Sequence, residues 1–169
     1  MKKVIKVNIG SGDFDKAIKE LEAYRKNLMN KIYDFVDALI AEGMNVAKVR
    51  ISSARGDSND VTVDSVYVSN SGDIIKAVIF LEGKDQLFVE FGSGIAYNTG
   101  EQHPLADKYG YGPGTYPSKH PPNRAINPGY WYYGSGKTSI GIEGTMPLYG
   151  AAEHIRNIIV QKANEILRS

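Results

Sequence analysis

The chain has 169 residues, 42% of them hydrophobic and 23% charged, and both length and composition are typical of one soluble globular domain. It contains no cysteine, which excludes disulfide scaffolds, thiolate metal sites and cysteine nucleophiles. The net charge of +1 gives no global electrostatic attraction for nucleic acid, and the longest apolar run, residues 77–81, is far shorter than the roughly 20 residues that span a bilayer. We therefore expect a single domain over residues 1–169 and no membrane segment.

The N-terminal quarter of the chain predicts a short strand followed by a long amphipathic helix. Residues 4–9 alternate between apolar and polar, which is typical of a half-buried strand, and Ser11 or Asp13 then supplies a helix cap. Over residues 13–42 the apolar positions recur at steps of mostly three, four or seven, which predicts a helix about 45 Å long that Gly43 ends. The apolar stripe consists of Phe14, Ile18, Leu21, Leu28, Ile32, Phe35, Leu39 and Ile40.

The middle of the chain carries the clearest sheet signal. Residues 44–53 fit either a strand or a short helix, because so short a run satisfies both periods, and residues 52–60 are polar and predict a loop. Strands over 66–69, 74–82 and 86–91, separated by short runs of turn-forming residues, then predict a three-stranded antiparallel meander.

Residues 92–136 differ sharply in composition from the rest of the chain. They hold nine of the 18 glycines, six of the seven prolines, seven of the 11 tyrosines and the tryptophan. A loop of this length is uncommon in a compact domain unless it is functional or disordered, and its aromatic content argues against plain disorder. At its C-terminal end, residues 130–133 and the following residues 137–142 predict a late hairpin across the turn at 134–136.

The C-terminal segment predicts a helix that begins at Pro147, since proline suits a first helical turn. The predicted fold is α+β: the long N-terminal helix and the C-terminal helix pack on one antiparallel meander sheet, with a long Gly/Pro/Tyr-rich loop at 92–129. We expect Leu28→Ala or Ile32→Ala to cost about 2–5 kcal/mol, the usual range for truncation of a buried aliphatic side chain. The predicted core residues are Leu21, Leu28, Ile32, Phe35, Val78, Phe80, Val89, Ile155 and Ile159.

The motifs of nucleotide-binding and hydrolytic enzymes are all incomplete in this chain. Residues 134–138 read Gly-Ser-Gly-Lys-Thr, but the glycine that a phosphate loop needs five positions before Gly136 is Trp131. The dinucleotide fingerprint that starts at Gly110 fails at Thr115, and a Gly-x-Ser-x-Gly elbow is absent from the sequence. We predict no catalytic centre and no cofactor.

The histidines and acidic residues predict no metal site. A coordinating pair of His103 and His120 is one alternative, but solvent-facing or partner-facing polar residues explain both better, because carboxylates at metal-ligand spacing are missing. Glu82 and Glu90 form a conceivable carboxylate pair for sugar chemistry, although nothing in the sequence fixes their separation.

The aromatic residues around the long loop are interpreted as contacts to protein. They could stack on bases or sugars, but there is no basic stripe beside them, and tyrosine and tryptophan dominate the energetics of protein interfaces. We therefore predict that residues 92–136 are an assembly arm, with a ligand groove for carbohydrate as the alternative. The predicted subunit or partner contacts are Tyr97, Tyr109, Tyr111, Tyr116, Tyr130 and Trp131.

An ordered set of motifs along nearly the whole chain resembles one known family. The set comprises the long helix from residue 13, the run Val89-Glu90-Phe91-Gly92-Ser93-Gly94, the insertion at 95–129 with Trp131-Tyr132 after it, and Gly144-Thr145-Met146-Pro147 before the last helix. In this order they resemble the small tail-component proteins of long-tailed bacteriophages. Two departures are Ser93, where threonine is commoner, and a blurred loop at 59–62.

The resemblance implies a structural virion protein rather than an enzyme. Family members form rings at the head–tail joint or the top of the tail, as completion or terminator proteins, so we expect a homo-oligomer, a hexamer on the sixfold tail tube. The implied partners are neighbouring neck and tail-tube proteins, with DNA only passing through the channel, and the implied location is the virion after assembly in the host cytoplasm. The resemblance also favours helix over strand for residues 44–53. The alternative function is a carbohydrate-binding module or small hydrolase.

Overall fold

The computed structural model describes residues 11–54, 60–71, 74–92, 103–109, 131–132, 138–139 and 142–168. The predicted strand at 4–9 and most of the segment 92–136 lie outside these residues. The elements are α1 (Ser11–Ser53), β1 (Thr62–Ser71), β2 (Ile74–Glu82), α2 (Gln86–Phe91), α3 (Ala106–Tyr109), β3 (Trp131–Tyr132), β4 (Thr138–Ser139) and α4 (Pro147–Leu167). This arrangement is the predicted α+β class.

Helix α1 is longer than predicted and passes straight through Gly43. Its 43 residues correspond to about 65 Å at about 1.5 Å per residue. The prediction that Gly43 ends the helix was wrong, because this glycine makes room for packing instead: a Cβ there would lie 2.7 Å from Ile79 Cδ1 and 2.8 Å from Ile155 Cδ1. Residues 44–53 are helical, so the strand alternative was wrong and the extension implied by the resemblance is confirmed.

The sheet under α1 is a two-stranded hairpin rather than a three-stranded meander. Strands β1 and β2 pair antiparallel, with Val66 opposite Val78 and a register shift between Tyr67 and Ser69. The predicted third strand is helix α2, in which the amide of Val89 donates to the carbonyl of Asp85. The reason is visible in burial: Val89 and Glu90 are adjacent and both buried, whereas a half-buried strand alternates.

The core lies between the second half of α1, the inner face of the hairpin and the first turns of α4. Ala47, Val63 and Ala151 are buried together at its centre. Partly buried side chains that pack against this centre are Met44, Ile51, Ile79 and Leu81. Small residues at two of the three central positions allow the helices and the hairpin to approach closely.

Helix α4 begins at Pro147, as predicted, and runs back along the second half of α1. Ile155 lies against Gly43, and Lys162 Nζ is 3.0 Å from Glu42 Oε1. The 21 residues of α4 span about 32 Å, about half the length of α1, so the first half of α1 extends past the end of its partner helix. In the described part of the chain, no helix is both long enough and apolar enough to cross a membrane.

The predicted core is confirmed in part. Val89 is fully buried, and Ile32, Phe35, Phe80 and Ile155 are partly buried. Leu21, Leu28, Val78 and Ile159, which were also predicted to be buried, are exposed in the single chain. Leu21 and Leu28 belong to the half of α1 that α4 does not reach, and the prediction that Leu28→Ala costs 2–5 kcal/mol loses its basis for the free chain.

A late hairpin is present where the sequence predicted one. Trp131 pairs with Ser139 and Tyr132 with Thr138, in antiparallel register. The turn at 134–136 lies outside the described residues.

Candidate functional site

The start of α4 is capped by a carboxylate from another element. Met146 occupies the N-cap position in a left-handed conformation, with φ 51° and ψ 52°, and its side chain makes no cap hydrogen bond. Glu90 accepts the free amides of the first turn instead, from Leu148 N to Oε2 at 2.8 Å and from Tyr149 N to Oε1 at 2.9 Å. A negative charge at this helix end also interacts favourably with the helix dipole.

His103 completes the contacts of this carboxylate. Its Nε2 lies 3.1 Å from Glu90 Oε1, and its Nδ1 accepts from the amide of Leu105 at 3.0 Å. Because Nδ1 is an acceptor, the hydrogen-bond network assigns the ring proton to Nε2, which donates to Glu90. The imidazole is flanked by the rings of Phe91 and Tyr149, at centroid distances of 4.5 and 5.1 Å.

Two short segments interlock around Glu90. The amide of Thr145 donates to the carbonyl of Val89 at 2.8 Å. Gly144 faces the backbone of α2 so closely that a Cβ there would lie 2.7 Å from Gly92 N and from the carbonyl carbon of Phe91. Only glycine fits without a backbone shift. We call the set formed by residues 89–92, His103 and residues 144–150 the junction.

Arg50 attaches the C-terminal end of α1 to the junction. Its guanidinium Nη1 donates to the carbonyl of Thr145 at 2.9 Å. The guanidinium reaches that carbonyl across Gly150, where a Cβ would lie 2.2 Å from Arg50 Nε. Gly150 therefore leaves room for the arginine, and α1, α2 and α4 are held together within a few residues of Glu90.

In the junction, the hydrogen bonds of the Glu90 carboxylate connect α2, His103 and the start of α4. Glu90 and His103 are each 6% exposed, and the Glu90 carboxylate already accepts two backbone amides and the imidazole. Among the described residues, no three histidine, cysteine, aspartate or glutamate side chains are grouped to hold a metal ion. His103 was predicted to face solvent or a partner, which was wrong, because its imidazole is buried between two aromatic rings.

The other predicted site residues are scattered or lie outside the described part of the chain. Glu82 is exposed at the end of β2 while Glu90 is buried in the junction, so the suggested carboxylate pair shares no common environment. Tyr109 ends α3 and Trp131 begins β3, and these placements concern the backbone alone. The predicted contact residues Tyr97, Tyr111, Tyr116 and Tyr130, together with His120, lie outside the described residues.

A second feature is an exposed apolar stripe on the first half of α1. We call Phe14, Ile18, Leu21 and Leu28 the α1 stripe; the first three are more than half exposed and Leu28 is 40% exposed. At about 100° per residue this is the face of α1 that carries Gly43 and Ala47, which are buried against the hairpin and α4. One helix face is thus core in its second half and solvent-exposed in its first.

The hairpin also presents an apolar surface to solvent. In β2 the side chains at 74, 76 and 78 are exposed while those at 75, 77 and 79 are partly buried. We call Val66, Ile74 and Val78 the outer hairpin face; the exposed Lys76 lies between the last two on the same face. Val68, in the region of the register shift, is exposed as well. Antiparallel sheets with one solvated face normally carry polar residues there, as Asp64 and Lys76 do here, and the three branched apolar side chains between and beside them depart from that pattern.

Two polar contacts fasten the second half of α1 to its neighbours. Hydrogen bonds from the Lys162 ammonium and, to a smaller extent, from the His154 ring hold the pKa of Glu42 below its ordinary value. The hydrogen bond between Lys162 and Glu42 also raises the pKa of Lys162. On the hairpin side, the hydrogen bond that Tyr67 donates to Asp37 raises the pKa of Tyr67 to about 12.

Comparison of the chain with protein-family models, with curated protein sequences and with solved structures gave no match.

Proposed function

We propose that this chain is a structural protein of a long-tailed bacteriophage virion, and that it assembles into a homo-oligomeric ring at the head–tail neck or the top of the tail. In this proposal it is not an enzyme and needs no cofactor. Its partners are copies of itself and the neighbouring neck and tail-tube proteins, while DNA passes through the channel.

The first support comes from the motifs that carry the resemblance. The residues 89–92 and 144–147 are separated by more than fifty positions in the chain, yet they form one hydrogen-bonded unit in the junction. Gly144, Glu90 and Pro147 each have a physical role there, as close-approach glycine, helix cap and first helical residue. The motifs thus describe one structural element, and this makes a chance resemblance of separate short runs a weaker explanation.

The observation that carries the proposal is the exposed apolar surface. Monomeric proteins rarely expose contiguous apolar patches larger than a few hundred Å², and larger ones mark interaction sites. Here the α1 stripe, interrupted at Arg25, runs over about 21 Å of helix from Phe14 to Leu28, and the outer hairpin face, interrupted at Lys76, adds a second patch. An assembled ring supplies the cover that a free chain lacks.

Native mass spectrometry and light scattering of the purified chain test the proposal, with negative-stain electron microscopy to identify rings. We expect a discrete multimer of the 18.6 kDa chain, about 112 kDa for six copies, that appears as rings in projection. A chain that stays monomeric at high concentration contradicts the proposal. A monomer that also binds members of a carbohydrate array would support the alternative of a carbohydrate-binding module instead.

A further inference from the structure

We propose that the α1 stripe of one copy packs against the outer hairpin face of the next copy, head to tail around the ring. This inference rests on the proposed function and names the surfaces that the ring would use.

The α1 stripe has the spacing of a helix seam built for another surface. Apolar residues fall at alternating steps of four and three at seven of the eight seam positions from Phe14 to Leu39, and Arg25 occupies the eighth. Such a seam is a continuous packing surface along one side of a helix. In the second half of α1 the hairpin and α4 cover that side, as the burial of Gly43 and Ala47 shows. The first half needs an equivalent cover from another molecule.

The outer hairpin face offers a cover of the required kind. Val66 and Val78 lie directly opposite each other on neighbouring strands, and Ile74 lies on the same face of β2 beyond Lys76. Branched side chains on a pleated sheet form a surface on which an amphipathic helix packs, as α1 itself does on the inner face of this hairpin. The neighbouring copy would repeat on one face of the hairpin the kind of packing that the chain already makes on the other.

The dimensions and charges of the two surfaces match in one orientation. The α1 stripe spans about 21 Å, and the same side of β2, from the exposed Ile74 to the partly buried Phe80, spans about 20 Å. Arg25 lies toward the Leu28 end of the seam, and Asp64, opposite Phe80, lies on the exposed face of β1 at the end distant from Ile74. Packing with Leu28 toward Phe80 and Phe14 toward Ile74 brings opposite charges to the same end.

Symmetry explains why the occupant is a second copy in a head-to-tail contact. Each chain carries both surfaces, so each copy covers its neighbour on one side and is covered on the other. Contacts between two different surfaces generate a closed ring when the rotation closes. Pairing of two α1 stripes by a twofold axis would instead leave both outer hairpin faces exposed.

Two charge substitutions separate these arrangements. Leu21→Lys disables the α1 stripe and Val78→Lys disables the outer hairpin face, and both positions are exposed in the single chain, so folding is preserved. We expect each variant alone to be monomeric, with self-association weakened at least about 30-fold. An equimolar mixture should form a one-to-one heterodimer, since one intact stripe then meets one intact face. Ala23→Lys, on the opposite side of α1, is the matched control and should assemble like the unmodified chain.

The outcomes distinguish the inference from the proposed function. Assembly of the Val78→Lys variant alone, with no rescue on mixing, would establish stripe-to-stripe pairing and overturn the inference. A ring that survives both substitutions overturns it too, while the ring itself stands. A monomeric unmodified chain overturns the proposed function as well. Because the chain has no cysteine, Leu21→Cys mixed with Val78→Cys adds a direct measurement: a mild oxidant should link the two variants to each other far faster than to themselves.

Discussion

The junction and the first half of α1 are opposite kinds of region on one small protein. In the junction, backbone amides, a buried carboxylate, an imidazole and two close-approach glycines satisfy one another within a few residues of Glu90. Along the first half of α1, apolar side chains of core size lie in solvent. The buried polar groups of the junction are satisfied by partners within the chain. The apolar side chains on the first half of α1 would be buried only by contact with another surface.

The contrast teaches where stability and where assembly reside. Stability is concentrated where polar groups are buried and matched, since leaving such a group unmatched costs far more than forming the bond returns. Exposed apolar side chains contribute little to the folded chain alone and can contribute to binding. Substitutions in the junction should therefore lower stability, and substitutions in the α1 stripe should change assembly.

The comparison predicts its largest effect at Glu90. Glu90→Ala removes the acceptor of two backbone amides of α4 and of the His103 imidazole, all in a buried site. We expect the free energy of unfolding to fall by about 3–5 kcal/mol, because three buried donors lose their acceptor and each such loss costs about 1–3 kcal/mol. Urea unfolding followed by circular dichroism measures it. Glu90→Gln keeps one acceptor and should lose less stability. The exposed Glu82→Ala is the control, and an equal loss of stability at positions 82 and 90 would show that the contacts of Glu90 in the junction contribute nothing specific.

Gly144 gives the next largest effect. A Cβ at this position would lie 2.7 Å from two backbone atoms of α2, so Gly144→Ala forces the interlocked segments apart. We expect a loss of about 2–3 kcal/mol, within the range of overpacking in a tight interior. Differential scanning calorimetry measures the shift in Tm. An exposed helical alanine substitution such as Asn45→Ala is the reference, and a Gly144→Ala variant as stable as this reference would show that the contact relaxes without cost.

Periodicity and turn chemistry were sufficient to predict α1, the β1–β2 hairpin and α4, but not helix α2. The apolar spacing from Phe14 onward predicted α1, Pro147 marked the start of α4, and the turn formers around residue 72 marked the β1–β2 hairpin. Local pattern was misleading wherever a distant contact decided the outcome. Gly43 resembles a helix end, but two isoleucine side chains from other elements require it within the helix.

The junction could not be assembled from the sequence because its partners are far apart in the chain. Glu90 and Leu148 are 58 residues apart, and alternating Leu87, Val89 and Phe91 predicted a strand that would have placed Glu90 on the opposite face. One local signal was present. Met146 precedes Pro147 at a helix start, and methionine has no oxygen with which to cap it, so an acceptor had to come from elsewhere.

The ion pair between Glu42 and Lys162, in the second half of α1, should have a smaller effect on stability, and this effect should depend on pH. The Lys162 ammonium and, to a smaller extent, His154 lower the pKa of Glu42 from 4.5, so the folded chain favours the charged carboxylate. That contribution is present above pH 4.5 and is lost as the pH falls through 4.5 toward the lowered value. Melting curves between about pH 7 and about pH 3, an interval that includes the ordinary pKa of glutamate, should show Glu42→Gln less stable near neutrality, with the difference shrinking in acid. The control is Glu20→Gln on the exposed half of α1; a Glu42 difference that stays constant with pH would mean that charge is not its cause.

The smallest effect on stability should come from Leu28→Ala. A small effect is expected because Leu28 contributes little to the folded monomer. Leu28 has the size of a core residue and lies on the face of α1 that is buried at Ala47, yet 40% of it is exposed in the single chain. Truncation there should cost about 0.5 kcal/mol or less when unfolding is measured at a dilution that keeps the chain monomeric. Val89→Ala, at a fully buried position, should cost about 2 kcal/mol under the same conditions, because it removes buried methyl groups and leaves a cavity.

At concentrations where the chain assembles, Leu28→Ala should lower the fraction of multimer while Ala23→Lys does not. If Leu28→Ala instead destabilised the monomer as much as Val89→Ala, the first half of α1 would already be covered within one chain, and the distinction between a region for stability and a region for assembly would fail.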